Sequence, residues 1–397
     1  MAELASEYQS AVSLLHELRT PDGFLASTLN EDNYKRIWAR DSMVCGLAAL
    51  LLEDDLLIEG LRDSLLTLAE HQDPKGMIPS NVDPRTGEVS FGSLVGRVDA
   101  NTWFVIGGLL YYLKTKDKKT WKKIKKKVFK TRDYLHFLEL NNRDWIYTPL
   151  SGNWADEYPV HGYTLYDNIL RIWGDRLYED YVMEQLYRFD DKTKNNFWPT
   201  PQGLENAYHR EGYKKALEEG VSNYAAFLLP GHYDLRFDAA GNGLAFLLWP
   251  LEEHQKDRTT QKLDSFTSEF GAPLVPAFWP VIDEDSFDWP LLKNNFSYSF
   301  KNHPGNFHNG GVWPVWMGLY ALGLSANEMT EQVDQVIAAF ESKIAATDDW
   351  DFQEYLNPLN LQLGGKSRMG YSASGVIFMQ AAKGSEGASL REFLHFI

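Results

Sequence analysis

Residues 50–68 read LLLEDDLLIEGLRDSLLTL, with Leu50, Leu57, Leu61, Leu65 and Leu68 returning at steps of seven, four, four and three and charges between them. That is the period of a helix with one apolar stripe, not the alternation of a strand. Outward from this stretch the same pattern covers Ala5 to Leu18, Trp103 to Leu113, Trp121 to Leu138, Tyr163 to Leu186, Val312 to Leu324, Met329 to Ile344 and Gly370 to Ala382. Between these runs lie turn-rich segments such as Asp73-Pro74-Lys75-Gly76 and Asn302-His303-Pro304-Gly305-Asn306. Residues 224–248 have short apolar runs broken by Gly231 and Gly241-Asn242-Gly243, and read equally as a small β-excursion or a loop-flanked helix. No Gly/Ser- or Pro-rich linker, low-complexity tract or strict repeat interrupts the chain. The expectation is a single all-α domain over 1–397, a helical toroid whose polar loops carry a site at one rim.

Composition narrows the ligand. With 39 Lys+Arg against 55 Asp+Glu the formal charge is −16, which repels phosphate backbones and anionic membranes. Neither nucleic acid nor membrane is an expected partner. The one basic segment, Lys114 to Lys130, places Trp121, Ile124, Val128 and Phe129 on one stripe with lysines opposite, the pattern of a solvated outer helix. No apolar run reaches the ~18 residues of a membrane span, and the first residues do not resemble a secretory signal. The single Cys45 lies in an apolar stretch and reads as a buried inert thiol. A cytoplasmic location follows as an expectation, and a homo-oligomer stays open. Aromatic residues, 14% of the chain, cluster beside Gly, Asn, Asp and His. A sugar, apolar on its face and hydroxylated at its rim, suits such surroundings.

Cleaving a glycosidic bond needs one protonated carboxyl and one ionised one converging on the same linkage. Five segments carry carboxylates among aromatics and small residues. In Arg36-Ile37-Trp38-Ala39-Arg40-Asp41-Ser42, Asp41 fits either a helix cap or an acceptor for sugar hydroxyls, with Trp38 and Arg40 shaping the pocket. In Gly96-Arg97-Val98-Asp99-Ala100-Asn101-Thr102-Trp103, Asp99 is likewise a cap or a binding residue. Trp154-Ala155-Asp156-Glu157-Tyr158 sets Asp156 beside an indole and a phenol, where desolvation raises a carboxyl pKa. Gly305 to Trp316 offers His308, Asn309 and Trp313 with paired glycines. His308 has no partner at a metal-ligand spacing, so no metal is expected. In Asp351 to Pro358, Glu354 precedes Tyr355-Leu356-Asn357-Pro358 and a Gly-rich loop leading to Tyr371.

Taken in order, these segments resemble the inverting glycosidases that include alkaline/neutral invertases, trehalases, processing α-glucosidases and mannosylglycerate hydrolases. Trp38-Ala39-Arg40-Asp41 is similar to the Trp-x-Arg-Asp of the invertases, Val98-Asp99-Ala100-Asn101-Thr102-Trp103 to their Val-Asp-Ser-Gly-Leu-Trp, and His308-Asn309-Gly310-Gly311-Val312-Trp313-Pro314 to their His-Gly-Asn-Gly-Gly-Val-Trp-Pro. The resemblance implies an (α/α)6 barrel, inversion and no cofactor. It puts Asp156 where the family's general acid lies, with neighbouring Glu157 as the alternative, and Glu354 where its base lies. Trp38, Asp41, Trp313 and Tyr371 are expected to line the −1 subsite, with Arg40, Asp99, Trp154, His308 and Asn309 as further binding residues.

The chain departs from the invertases after Asp156, where Glu157-Tyr158-Pro159 replaces a basic pair, and Phe237 to Asn242 looks like segments of glycogen-debranching-like proteins. The expected activity is therefore inverting hydrolysis of a small α-glucoside-type sugar, with a sucrose invertase as the nearest alternative. An (α/α)6-barrel epimerase or isomerase would need paired histidines, whereas the ten here are scattered. A non-catalytic sugar-binding barrel would bind sugar persistently without turnover.

Overall fold

Two kinds of helix alternate along the chain. The computed structural model describes residues 2–29, 33–140, 144–186, 188–347, 349–385 and 387–395. The helices are α1 (Ala2–Leu18), α2 (Ala39–Leu52), α3 (Asp55–Glu70), α4 (Val98–Thr115), α5 (Lys118–His136), α6 (Leu165–Val182), α7 (Asp190–Phe197), α8 (Arg210–Glu219), α9 (Ala239–Leu248), α10 (Glu253–Phe270), α11 (Trp289–Lys293), α12 (Pro314–Ala326), α13 (Thr330–Ile344), α14 (Gly370–Gly384) and α15 (Gly387–Phe393). In α9 and α12 every residue is buried, and α2, α4 and α14 are buried over most of their length. Helices apolar on all sides must be enclosed on all sides. By contrast α3, α5 and α13 bury one stripe, such as Trp121, Ile124 and Val128 of α5.

The enclosed helices form a ring. Each of α2, α4, α6, α9, α12 and α14 packs on the next, and α14 closes on α2. Outside, α1 lies on α14, α3 on α2, α5 on α4 and α13 on α12. This is the (α/α)6 barrel. Small residues let the inner backbones approach: a Cβ on Gly243 of α9 would sit 2.9 Å from the Tyr320 nitrogen of α12.

The loops entering the inner helices all gather at one end. Ile37–Trp38, before α2, pairs with Asn81–Val82, before α4. Tyr163–Thr164 pairs with Phe227–Leu229, and Phe237–Asp238 with Phe278–Trp279. Single bridges join Val312 to Leu356 and Ser27 to Met369. Short strands therefore tie the loops of one rim together, and among the described residues they form no closed sheet.

Residues 224–248 turn out to hold both expected alternatives, strands Phe227–Leu229, His232–Asp234 and Phe237–Asp238 followed by α9. Asp238 caps α9, its Oδ1 accepting from the Gly241 N–H at 3.0 Å. The cap reading fails for Asp41 and Asp99: the cap positions are Trp38 and Arg97, and both carboxylates lie within the first helical turn, free for other contacts. The sequence pattern also passed over α10, whose stripe of Leu263, Phe266 and Phe270 is extended by the polar Gln255 and Thr259.

Candidate active site

Glu354 lies in the loop between α13 and α14, beside a two-stranded hairpin, Tyr355–Leu356 with Leu363–Gly364. Its Oε1 accepts from the Tyr34 hydroxyl at 2.7 Å and its Oε2 from the Lys366 backbone N–H at 3.1 Å. Gly365 runs at φ +77°, and a Cβ there would overlap Oε2. The carboxylate thus rests directly on glycine backbone. Burial pushes the Glu354 carboxyl up, against the Tyr34 and Lys366 hydrogen bonds and the charge of Lys301, while Asp41 adds to the rise. A carboxylate so held is fixed in direction and more basic than one in water.

Asp156 stands on the loop before α6, with its carboxylate ion-paired to Arg97, whose other arm donates to the Ser151 carbonyl. Next to it Glu157 is buried and raised by desolvation, and its Oε1 accepts from the Ser297 backbone N–H at 3.0 Å. Tyr34 connects the two sides: burial first, then the negative charges of Glu354, Asp41 and Asp156, push its phenol well up. Its hydroxyl thus donates to one carboxylate, Glu354, within the field of the other two.

Beneath them lies a buried polar floor. Arg40 donates to Asp99 Oδ2 at 3.0 Å, approaches Asp41 at 3.7 Å and covers the ring of Tyr371 at 5.5 Å. Tyr166 reaches the same Asp99 oxygen at 3.4 Å. Arg40 thus holds two carboxylates from successive inner helices at fixed positions. Burial raises Asp41, with Arg40 opposing, and Asp41 Oδ2 has no hydrogen-bond partner.

An aromatic wall completes the site. Trp154 is stacked on Phe278 at 5.8 Å and meets His308, Trp313 and Trp316 at angles. His308 lies parallel to Trp313 at 5.6 Å. Burial, then the charges of Arg40, Lys301 and Arg97, hold His308 well below the ordinary histidine range, so its ring is neutral. Its Nδ1 and the indole N–H of Trp154 are buried without hydrogen-bond partners. Orphaned donors and acceptors beside aromatic faces are what a polyhydroxy ring would satisfy.

Three expected binding residues spend their polar groups on the backbone. Asn309 spends its amide on the backbone, taking the Ile282 N–H at 2.8 Å and donating to Ile282 and Asn302 carbonyls, so it holds loops together. Trp38 and Trp313 donate their indole N–H groups to the Asn33 and Phe307 carbonyls, which leaves only ring faces for a ligand. Tyr34, Arg97 and Lys301 were not read from the sequence. Arg97 adjoins the quoted Val98-Asp99 segment and carried a signal; Tyr34 meets Glu354 across 320 positions and carried none. Among the described residues no three His, Cys, Asp or Glu side chains are grouped to hold a metal ion.

A ring of six inner helices, with carboxylates on indole-lined loops at the rim where those helices begin, defines the class of (α/α)6-barrel glycosidases. Within that class the model of the alkaline and neutral invertase family matches residues 182–383, about half of the chain. The chain belongs to this family of glycoside hydrolases. Alkaline/neutral invertase C, mitochondrial, from Arabidopsis thaliana is 25% identical over 158 residues, 39% of this chain and 22% of that protein. Neutral/alkaline invertase 3, chloroplastic, from Oryza sativa subsp. japonica is 23% identical over 201 residues, 50% of this chain and 30% of that protein. The matched region is thus under a third of each plant protein. The GH63 mannosylglycerate hydrolase of Thermus thermophilus, solved with Tris and D-glycerate, shares the fold at TM-score 0.63 and 14% identity, covering 94% of this chain and 100% of that one. A bacterial glucoamylase complexed with acarbose does so at TM-score 0.63 and 14% identity, over 98% of this chain and 57% of that one. No helix among the described residues is long and apolar enough to cross a membrane.

Proposed function

We propose that residues 1–397 act as one domain that hydrolyses a small α-glucoside-type sugar with inversion, Glu354 as general base and Asp156 as general acid. The observation that supports this reading is the seating of Glu354, buried on glycine backbone and held by the Tyr34 hydroxyl and the Lys366 N–H. In such a reaction Asp156 protonates the leaving oxygen while Glu354 deprotonates a water on the opposite sugar face. Inversion calls for ~6.5–9.5 Å between the two carboxyl groups, room for that water. Asp41, Arg40 and Tyr371 below, with Trp154, His308 and Trp313 at the side, would hold the sugar ring.

Asp156 is preferred to Glu157 because Asp156 is partly open to solvent, whereas Glu157 is buried with its carboxylate and carbonyl holding Ser297 and Asn302. The family favours sucrose as a second reading of the substrate, and the departure after Asp156 weighs against it. The cytoplasm remains the proposed location, although the plant relatives are described as mitochondrial and chloroplastic.

The test is a proton NMR time course with sucrose, trehalose, isomaltose, kojibiose, glucosylglycerate and mannosylglycerate, using the unaltered protein and Glu354→Gln, Asp156→Asn and Glu157→Gln. The expected result is one cleaved substrate with inverted initial product, and loss of turnover in the first two variants only. A retained product refutes the two-carboxylate assignment. Loss of turnover on Glu157→Gln with Asp156→Asn active moves the acid by one residue.

A further inference from the structure

The segment between Phe287 and Phe300 carries a concentration of exposed apolar side chains. Phe287 is 98% exposed and Tyr298 89%, with Leu291 and Phe296 also open to solvent. Soluble surfaces scatter such groups singly. Here they share one segment, α11 and its flanks, and the loop after α11 hangs from the acid side of the cleft. The Asn295 amide donates to the Asp156 carbonyl at 3.3 Å, and Asn295 Oδ1 accepts from the Ser151 hydroxyl at 2.9 Å. The Ser297 N–H donates to Glu157 Oε1 at 3.0 Å, and Asn302 donates to the Glu157 carbonyl at 2.8 Å. The bond between residues 157 and 297 joins the immediate neighbours of Asp156 and Tyr298.

The loop is braced from within. Phe296 and Phe300 meet edge to face at 6.4 Å, and Phe300 packs on Trp289 at 5.7 Å and on the His303 ring at 4.9 Å. The chain bends at residues 297–299 between these two phenylalanines, which sets Tyr298 between the small Ser297 and Ser299. Asp288, at the start of α11, is tied to Arg236 at 2.8 Å. A phenol on a supported turn offers a flat face at little conformational cost.

We infer that Tyr298 is the platform for a ring-bearing leaving group, so that the enzyme selects glycosides in which a second sugar ring, not an acyclic polyol, follows the scissile bond. The inference rests on the reading of Asp156 as the acid. A general acid stands on the leaving-group side of the bond it cleaves, so whatever departs from Asp156 passes the loop bound to the Asp156 and Glu157 peptides. A pyranose or furanose ring presents the apolar face that an exposed phenol stacks against, and glycerol does not.

The experiment compares the unaltered protein, Tyr298→Ala and Tyr298→Phe on sucrose and isomaltose, whose leaving groups are rings, and on glucosylglycerol, whose leaving group is not. Turnover is followed by NMR and binding by tryptophan fluorescence in the Glu354→Gln background. The expected result is a preference of about tenfold for a ring-bearing substrate, lost in Tyr298→Ala and kept in Tyr298→Phe, with glucosylglycerol unaffected. Equal handling of the two kinds of substrate, an unchanged Tyr298→Ala, or no binding of any of the three overturns the inference. So does a shift in oligomeric state on size exclusion without a change in substrate preference, which would make the loop an interface. The proposed reaction fails separately, if Glu354→Gln still turns over a substrate that the unaltered protein cleaves.

Discussion

Replacing Gly365 by alanine tests whether the position of the Glu354 carboxylate is set by backbone contact. Two effects add. Gly365 has φ +77°, and a side chain in that region costs roughly 1–2 kcal/mol. The new methyl group would also overlap Glu354 Oε2 and lie 2.6 Å from its Cβ, so the carboxylate must swing away from the Lys366 N–H and the Tyr34 hydroxyl. A displacement of roughly 1 Å at a reacting group costs on the order of 10²-fold in rate. Gly87 is the control: its φ is +72° and a methyl group there would meet nothing within 4 Å, so Gly87→Ala carries the backbone cost alone. The assay is kcat/KM on whichever sugar the NMR panel identifies, together with urea denaturation of both variants. The expected result is a larger stability loss in Gly365→Ala than in Gly87→Ala, with an activity loss of about a hundredfold in Gly365→Ala only. A folded Gly365→Ala with activity within threefold of the unaltered protein would refute the argument that Glu354 acts from the position described.

Tyr34→Phe removes a donor to the ionised form of Glu354, whose carboxyl burial already pushes up. The acidic limb of the kcat/KM profile therefore moves to higher pH, and below it activity falls roughly tenfold or more, the worth of a hydrogen bond to a charge; a superimposable profile contradicts this. Asp167 is raised from 3.8 to about 7 by burial and then by the charge of Asp99, against hydrogen bonds from Thr164, Thr148 and Asn153. A carboxyl raised on folding contributes stability that is present below its unfolded pKa and lost as pH climbs through about 7. Thermal melts from pH 4 to 8 should decline more steeply for the unaltered protein than for Asp167→Asn, and parallel curves would exclude the effect. Arg236→Ala leaves the buried Asp234 without its guanidinium partner and should cost about 3 kcal/mol in urea denaturation; a loss below about 1 kcal/mol would mean the pair carries little.

The ring was legible because the inner and outer helices differ in kind. Val44 to Leu52 is apolar throughout and Leu57 to Leu68 striped, and these patterns follow from enclosure and from a solvated face. Helix α10 escaped because Gln255 and Thr259 occupy its buried stripe, satisfied by local bonds that leave no apolar signature. At the site, residues inside compact motifs lie in two contacting groups, Arg40 with Asp41 and Asp99, and Trp154 with His308. What the motifs could not distinguish was direction. Asn309 lies in the same short run as His308 and Trp313, yet its amide faces the loop backbone. Nor could they supply Tyr34 or Lys301, which act on Glu354 from remote segments whose local sequence records nothing of the encounter.

The hydrogen bond from Tyr34 to Glu354 also dates the site within the life of the chain. The ring closes only when α14 reaches back to α2 and α1, so a nascent polypeptide emerging from the ribosome carries Tyr34, Asp41 and Asp156 long before Glu354 exists to meet them. With Glu354 as the proposed base, products of synthesis interrupted before it are expected to be inert, and competence is expected only once the last helix of the inner ring has been made.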